Sequence, residues 1–191
     1  MELFWIFFTT LLVNNFTLSY FLGLCPFLGV TNQFDTALRL GMANILVMVI
    51  TSVMAWLLNT YILEAVPYLR LISFIIVIAS TVQLVEMAIK KLSPALFKAL
   101  GVFLPLITTN CAILGLALFQ TSKEYNLLEG VVYALGGGGG MTIALVLMAG
   151  IREETKLLEI PKLLEGTIFN LLIAGILSMA FMGFAGLFSG H

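Results

Sequence analysis

The run Phe21-Leu22-Gly23-Leu24-Cys25-Pro26-Phe27-Leu28-Gly29 lies near the end of an uncharged stretch that extends from Leu3 to Phe34. As one straight helix at ~1.5 Å per residue, that stretch would reach about 48 Å, against a hydrocarbon core of about 30 Å. It must tilt, kink or break. Asn14, Asn15 and Pro26 are the places for a break, because asparagine competes for backbone hydrogen bonds and proline removes one. A broken helix inside a bilayer needs protein around it, since each freed backbone group left in lipid costs several kcal/mol. The counterpart in the second half is Leu104-Pro105-Leu106-Ile107-Thr108-Thr109-Asn110-Cys111, again uncharged and again joining a proline to a cysteine. Cys25 and Cys111 are the chain's two cysteines.

Composition sets the class. Of 191 residues, 61% are hydrophobic and 10% charged, with a mean hydropathy of +1.11, whereas an ordinary soluble domain is about a quarter charged. The chain reads as an integral membrane protein. A net charge of -1 and a single histidine, His191, leave no basic face for nucleic acid and no histidine cluster for a metal. The start, Met1-Glu2-Leu3, lacks a positive n-region, so the first hydrophobic segment is expected to be retained. Leu24 is too bulky for a lipoprotein cleavage site before Cys25, and two cysteines within apolar spans do not fit a secreted disulfide scaffold.

Apolar windows of about 20 residues mark spanning helices. They are Leu3 to Phe34, Leu40 to Leu63, Leu71 to Ile89, Leu100 to Gln120, Gly130 to Ile151 and Thr167 to Ser189. Arg39, Lys90, Lys91, Lys98, Arg152, Lys156 and Lys162 follow an odd number of crossings, and only Arg70 and Lys123 an even number. The positive-inside rule then puts the odd side in the cytoplasm and both termini outside. Three crossings per half make the second half enter from the opposite face. The expected fold is all-α: one membrane domain over residues 1–191, with six transmembrane helices in an inverted three-plus-three repeat. The repeats run roughly over 1–95 and 96–191, and lead helices 1 and 4 are broken.

A buried cysteine is ordinarily a small hydrophobe. Here each one occupies the lead helix of its half beside broken backbone, so an inverted repeat brings both toward the pseudo-twofold axis, where two thiolates hold half of a metal site. Iron-sulfur and tetrahedral zinc sites want four ligands, so a partner must complete the set. Thr108, Thr109 and Asn110 are candidates for hydrogen bonds to sulfur or for a half-helix cap; their ordinary role is glue between helices. Gly136 to Gly140 lacks the Lys-Ser/Thr of a phosphate loop, and close helix packing is preferred to a hinge. Glu86 stands one turn from Lys90 and reads as half of an i,i+4 pair, with Asp35, Glu64 and Glu129 interfacial. The link from Arg152 to Lys162 reads as a short amphipathic cytoplasmic element.

Leu12-Val13-Asn14-Asn15-Phe16, Phe21 to Val30 and Leu104 to Gly115 closely resemble the A-type subunits of the Rnf (also Rsx) ion-translocating electron-transport complexes. The resemblance extends over nearly the whole chain, including the glycine run and Arg152-Glu153-Glu154. Its most specific pieces are Leu-Gly-Leu-Cys-Pro-Phe-Leu-Gly and Pro-Leu-Ile-Thr-Thr-Asn-Cys-Ala. The related E-type protein of the sodium-pumping NADH:quinone reductase shares the architecture, but the context of Cys25, Pro26 and Phe27 is closer to Rnf. The resemblance implies a component, not catalytic alone, of a bacterial inner-membrane ferredoxin:NAD oxidoreductase that moves Na+ or H+. It implies a [2Fe-2S] cluster shared with a homologous E-type partner of inverted topology, and Cys25 and Cys111 match the A-type ligand positions. Asn14, Asn15, Pro26, Pro105, Thr108, Thr109 and Asn110 would then form its surroundings or the helix breaks. The B, C, D and G types of Rnf protein would carry further clusters and flavins, membrane lipid would surround the whole, and no nucleic acid is involved. From the residues alone, a secondary transporter, which shares broken helices and inverted repeats, and an anchoring scaffold with inert cysteines stay open.

Overall fold

The computed structural model describes residues 2–29, 31, 33–63, 67–92, 104–155 and 166–188, and every regular element among them is helical. The first uncharged run is not one helix. Helix α1 (Glu2–Phe8) continues into a widened π-turn (Thr9–Val13), which Asn14 closes by donating its amide to the Thr9 carbonyl at 2.8 Å. Two short helices follow, α2 (Phe16–Ser19) and α3 (Leu24–Gly29). Three long helices are apolar enough to cross a membrane, over Phe34–Tyr61, Arg70–Ala88 and Leu127–Thr155. Shorter apolar helices cover Glu2–Val13, Leu106–Ser122 and Thr167–Gly183. Together they occupy the six stretches where crossings are expected.

Helix α4 (Phe34–Leu58) starts at Phe34, ahead of the expected Leu40, and takes in Asp35 and Arg39, which pair at 3.3 Å one turn apart on its exposed end. It is followed by α5 (Arg70–Leu92), α6 (Leu104–Thr108), α7 (Cys111–Ser122), α8 (Leu127–Thr155) and α9 (Thr167–Phe188). Helix α8 runs unbroken through the five glycines and past Arg152 to Thr155. The link expected to be a separate amphipathic element is therefore helix α8 as far as Thr155, and the remainder lies outside the described residues, as do Glu64, Lys98, Lys156, Lys162 and His191.

The glycine run explains the packing. Helices α4 and α8 form the central antiparallel pair, and α1 with its π-turn lies along another side of α8. Lipid tails are as apolar as leucine, so helices associate in a bilayer by close packing and hydrogen bonds rather than by the hydrophobic effect, and small residues allow that approach. A Cβ at Gly138 would stand 3.1 Å from the Ile45 Cα on α4, and one at Gly140 would stand 2.7 Å from the Leu11 carbonyl oxygen. A Cβ on Gly137 would drive into the Phe16 ring. The run thus seats three different neighbours on one unbroken helix. Helices α5 and α9 turn Leu71, Ile72, Ile76, Leu171, Leu172 and Met179 outward, as lipid-facing stripes do.

Candidate functional site

The two cysteines occupy equivalent places. Each stands in the first turn of a half-helix that follows a break: Cys25 is the second residue of α3, and Cys111 is the first residue of α7. The breaks are at Asn14 and Asn15, at residues 20–23, and at Thr109 and Asn110. Pro26 and Pro105 do not make them. Both prolines sit inside the first turns of α3 and α6, where a missing amide hydrogen breaks no helical bond.

The freed backbone groups are satisfied by protein. Asn15, fully buried, accepts from the amides of Thr17 at 3.1 Å and Leu18 at 3.4 Å through Oδ1, capping α2. Its Nδ2 donates to the Gly140 carbonyl on α8 at 2.7 Å. The hydroxyls of Ser19 and Ser178 donate to the Val13 and Leu18 carbonyls. Phe16 packs edge-on against Tyr133, with ring centroids 5.8 Å apart, and stacks on Phe119 at 6.0 Å. The backbone around Asn15 is thereby paired within the protein, as an interrupted helix in a bilayer requires.

The second break repeats this logic with different partners. Asn110 caps α7 by accepting from the Ala112 amide at 3.0 Å through Oδ1, and its Nδ2 donates to Asn44 Oδ1 on α4 at 3.2 Å. Asn44 in turn donates to Met141 Sδ on α8 at 2.7 Å. Asn15 thus ties the first break to α8, and Asn110 ties the second to α4. Thr108 donates to Glu86 Oε2 on α5 at 3.2 Å, a contact across the sequence that the expected pairing of Glu86 with Lys90 did not include. Of Thr109, the structure shows that it lies at the turn, exposed, beside Asn110.

The two breaks meet. The backbone amide of Gly23 donates to Cys111 Sγ at 2.8 Å, across 88 residues of sequence. Gly23 holds φ +81, which only glycine adopts readily, and Phe21, two residues earlier, carries backbone strain at φ 55. With Cα atoms about 3.8 Å apart along the chain, Cys25 Cα stands within about 12 Å of the Cys111 sulfur. Cys25 is exposed and Cys111 half-buried, and both are free thiols. Cys111 also lines a cleft of about 320 Å³ with Ile75, Ile78 and Ala79 of α5, and with Thr108, Thr109, Asn110 and Leu114.

Donor chemistry decides what this can hold. Among the described residues no group of three or more histidine, cysteine or acidic side chains converges. Two sulfurs, one of them already receiving a backbone N–H, are donors of the kind an iron-sulfur cluster takes and are too few for a complete site. At the far end of α3, Arg152 Nη1 donates to the Leu28 carbonyl at 3.0 Å and to Thr31 Oγ1 at 2.7 Å. Thr31 passes the contact on to the Phe27 carbonyl at 2.7 Å. The terminal carbonyls of the Cys25-bearing helix are therefore held by a cation from α8.

Sequence reading missed Gly23, Asn44, Met141 and Arg152 as parts of this site. Gly23 alone carried a local signal, a glycine two residues before a cysteine in an apolar run. The others contribute across distances that periodicity cannot see.

Residues 3–188 match the family model described as Rnf-Nqr subunit, membrane protein. The chain is 52% identical over 181 residues to the A-type protein of the ion-translocating oxidoreductase complex of Syntrophotalea carbinolica, covering 94% of each chain. It is 50% identical over 180 residues to the protein of the same name from Serratia proteamaculans, covering 93% of each. It is 49% identical over 189 residues to the A-type protein of the Na(+)-translocating ferredoxin:NAD(+) oxidoreductase complex of Acetobacterium woodii, covering 98% of each.

Proposed function

The chain belongs to the Rnf-Nqr family of membrane subunits, and from that premise we propose that it is the A-type component of a redox-driven ion translocase. It would carry electrons through the bilayer between the ferredoxin and NAD ends of the complex, coupled to movement of Na+ or H+. Cys25 and Cys111 would hold two ligand positions of a [2Fe-2S] cluster, and a homologous partner of inverted topology would supply the other two. When bound, such a cluster supplies reversible one-electron transfer in a low-dielectric interior. Further clusters and flavins would reside in the remaining members of the complex.

The observation that carries this reading is the hydrogen bond from the Gly23 amide to Cys111 Sγ, which joins the two cysteine-bearing breaks. A donor aimed at sulfur offsets negative charge on a ligating thiolate, and such bonds tune the potential of iron-sulfur sites. The exposure of Cys25 leaves its sulfur open to a ligand shared with a neighbour. The paired ties from Asn15 to α8 and from Asn110 to α4 support the inverted repeat, since they relate the first crossing to the fifth and the fourth to the second. In this reading the cytoplasmic side is the one that carries Arg39 and Arg152, both termini face outward, and the membrane is the bacterial inner membrane. Negative charge gained at these sulfurs, in a medium of low dielectric, favours cation uptake or a shift of the surrounding helix ends. Unchanged ion occupancy and helix positions on reduction of the complex would rule that coupling out.

The test is electron paramagnetic resonance with iron quantification on the purified complex, wild type against Cys25→Ser and Cys111→Ser. We expect each variant to assemble, to lose one [2Fe-2S] signal and to lose roughly two iron atoms per complex. An assembled variant that retains both the signal and the iron refutes the assignment, and points instead to a scaffold with inert thiols.

A further inference from the structure

We propose that Asn44, on a helix that carries neither cysteine, is the positioning residue that keeps the Gly23 amide on the Cys111 sulfur. The proposal rests on the reading of Cys111 as a cluster ligand.

Asn44 is 2% exposed in the body of α4. Both ends of its amide are used: Oδ1 accepts from Asn110 at 3.2 Å, and Nδ2 donates to Met141 Sδ at 2.7 Å. Its orientation is therefore fixed. Packing between α4 and α8 does not require it, because the close approach there comes from Gly138 against Ile45 and Gly41 against Thr142. What Asn44 holds is specific to the break. A Cβ placed on Gly23 would meet Met141 Cε at 2.8 Å and Asn110 Oδ1 at 3.1 Å before any other atom. The two side chains that Asn44 bonds are thus the two that close on Gly23.

Asn110 acts on the site twice. Its Oδ1 caps α7 at the Ala112 amide, which sets the first turn where Cys111 stands, and the same oxygen walls the Gly23 turn. Met141, 1% exposed, forms the other wall. Between these walls Gly23 takes its left-handed conformation and turns its N–H to the sulfur. Replacing Asn44 by an apolar residue removes the shorter bond of each wall, at 3.2 Å and 2.7 Å, and leaves only the long contact of Asn110 Nδ2 with Met141 Sδ at 3.8 Å, so both walls are loosened together. The positive end of the Gly23 N–H stabilises added negative charge at the sulfur, so a loosened turn makes reduction harder and lowers the midpoint potential.

The experiment is a potentiometric titration of the purified complex followed by electron paramagnetic resonance, with hyperfine measurement of coupling to the Gly23 amide nitrogen. Asn44→Leu keeps the number and branching of the side-chain heavy atoms and removes both hydrogen bonds. We expect full iron content, a lower midpoint potential and weaker coupling to the amide. Met141→Leu keeps one wall but removes the acceptor of Asn44, and a smaller shift in the same direction is expected. Wild-type potential and coupling in Asn44→Leu with iron retained overturn the proposal, because a purely structural asparagine would affect assembly and leave both readouts alone. Should Asn44→Leu fail to assemble, an unchanged potential in Met141→Leu overturns it. A set of cluster signals that is the same in the assembled Cys111→Ser complex as in wild type sinks the ligand reading itself, a result distinct from a Cys111-dependent signal that ignores Asn44.

Discussion

Alanine substitution along the glycine run separates packing from hinging, because the five positions meet different atoms. At Gly140 a Cβ would stand 2.7 Å from the Leu11 carbonyl oxygen, and at Gly136 it would stand 2.9 Å from the Phe7 carbonyl oxygen. Backbone cannot rotate away, so α1 and its π-turn must move as a unit. Overpacking of this kind costs typically 1–3 kcal/mol, about a factor of 5 to 150 in an equilibrium constant. At Gly139 the nearest atom is Leu11 Cδ1, at 2.8 Å, the tip of a side chain that can change rotamer. The cost there should stay below about 1 kcal/mol. Gly150 lies in the same helix with nothing within 4 Å, so alanine there should gain helix propensity, up to about 1 kcal/mol. Steric-trapping or reversible-denaturation measurements in bicelles would rank the four variants. The expected order of stability is Gly150→Ala, then Gly139→Ala, with Gly136→Ala and Gly140→Ala last. Equal costs at Gly139 and Gly140, or a cost at Gly150 matching either, would refute the packing argument. Stability gained at all three substituted positions of the run, together with lost turnover, would instead identify a hinge.

The site itself supports two more tests. Because both contacts of Arg152 to the end of α3 come from Nη1, Arg152→Lys should retain most of the hold, whereas Arg152→Gln should lose a charge-assisted interaction of about 1.5–3 kcal/mol. Hydrogen exchange at the Phe27 and Leu28 amides would then speed up in the glutamine variant, and equal rates in both variants would contradict the clamp. In the isolated protein without iron, exposed Cys25 should be alkylated faster than half-buried Cys111, which is also engaged by the Gly23 amide. Mass-spectrometric labelling that finds Cys111 the faster thiol would contradict the geometry described.

Much of the architecture was legible because the bilayer constrains it. Apolar lengths located the helices to within a few residues, and the excess length of the first run forced a break, which Asn14 and Asn15 signalled through their competing side chains. The start of α4 was misjudged because Asp35 and Arg39 read as a link, whereas a helix that emerges from lipid carries an i,i+4 pair without difficulty. Proline in an apolar run points to a break because it removes a hydrogen bond. Pro26 and Pro105 both stand in first turns, where that bond does not exist, and the interruption at residues 20–23 carries only Gly23 as a sign.

The sequence by itself determined that the chain lives in a membrane, where its helices run, and that two thiols stand next to interrupted backbone. Tertiary structure alone decided that these interruptions face each other, that Gly23 donates to Cys111, and that Asn44, Met141 and Arg152 hold the pieces in place. The physical reason is range. Hydropathy and local hydrogen-bond competition act within a few residues and leave a trace in the sequence. A buried amide finding a sulfur 88 positions away depends on how helices pack, which in lipid is settled by small residues and polar contacts between segments.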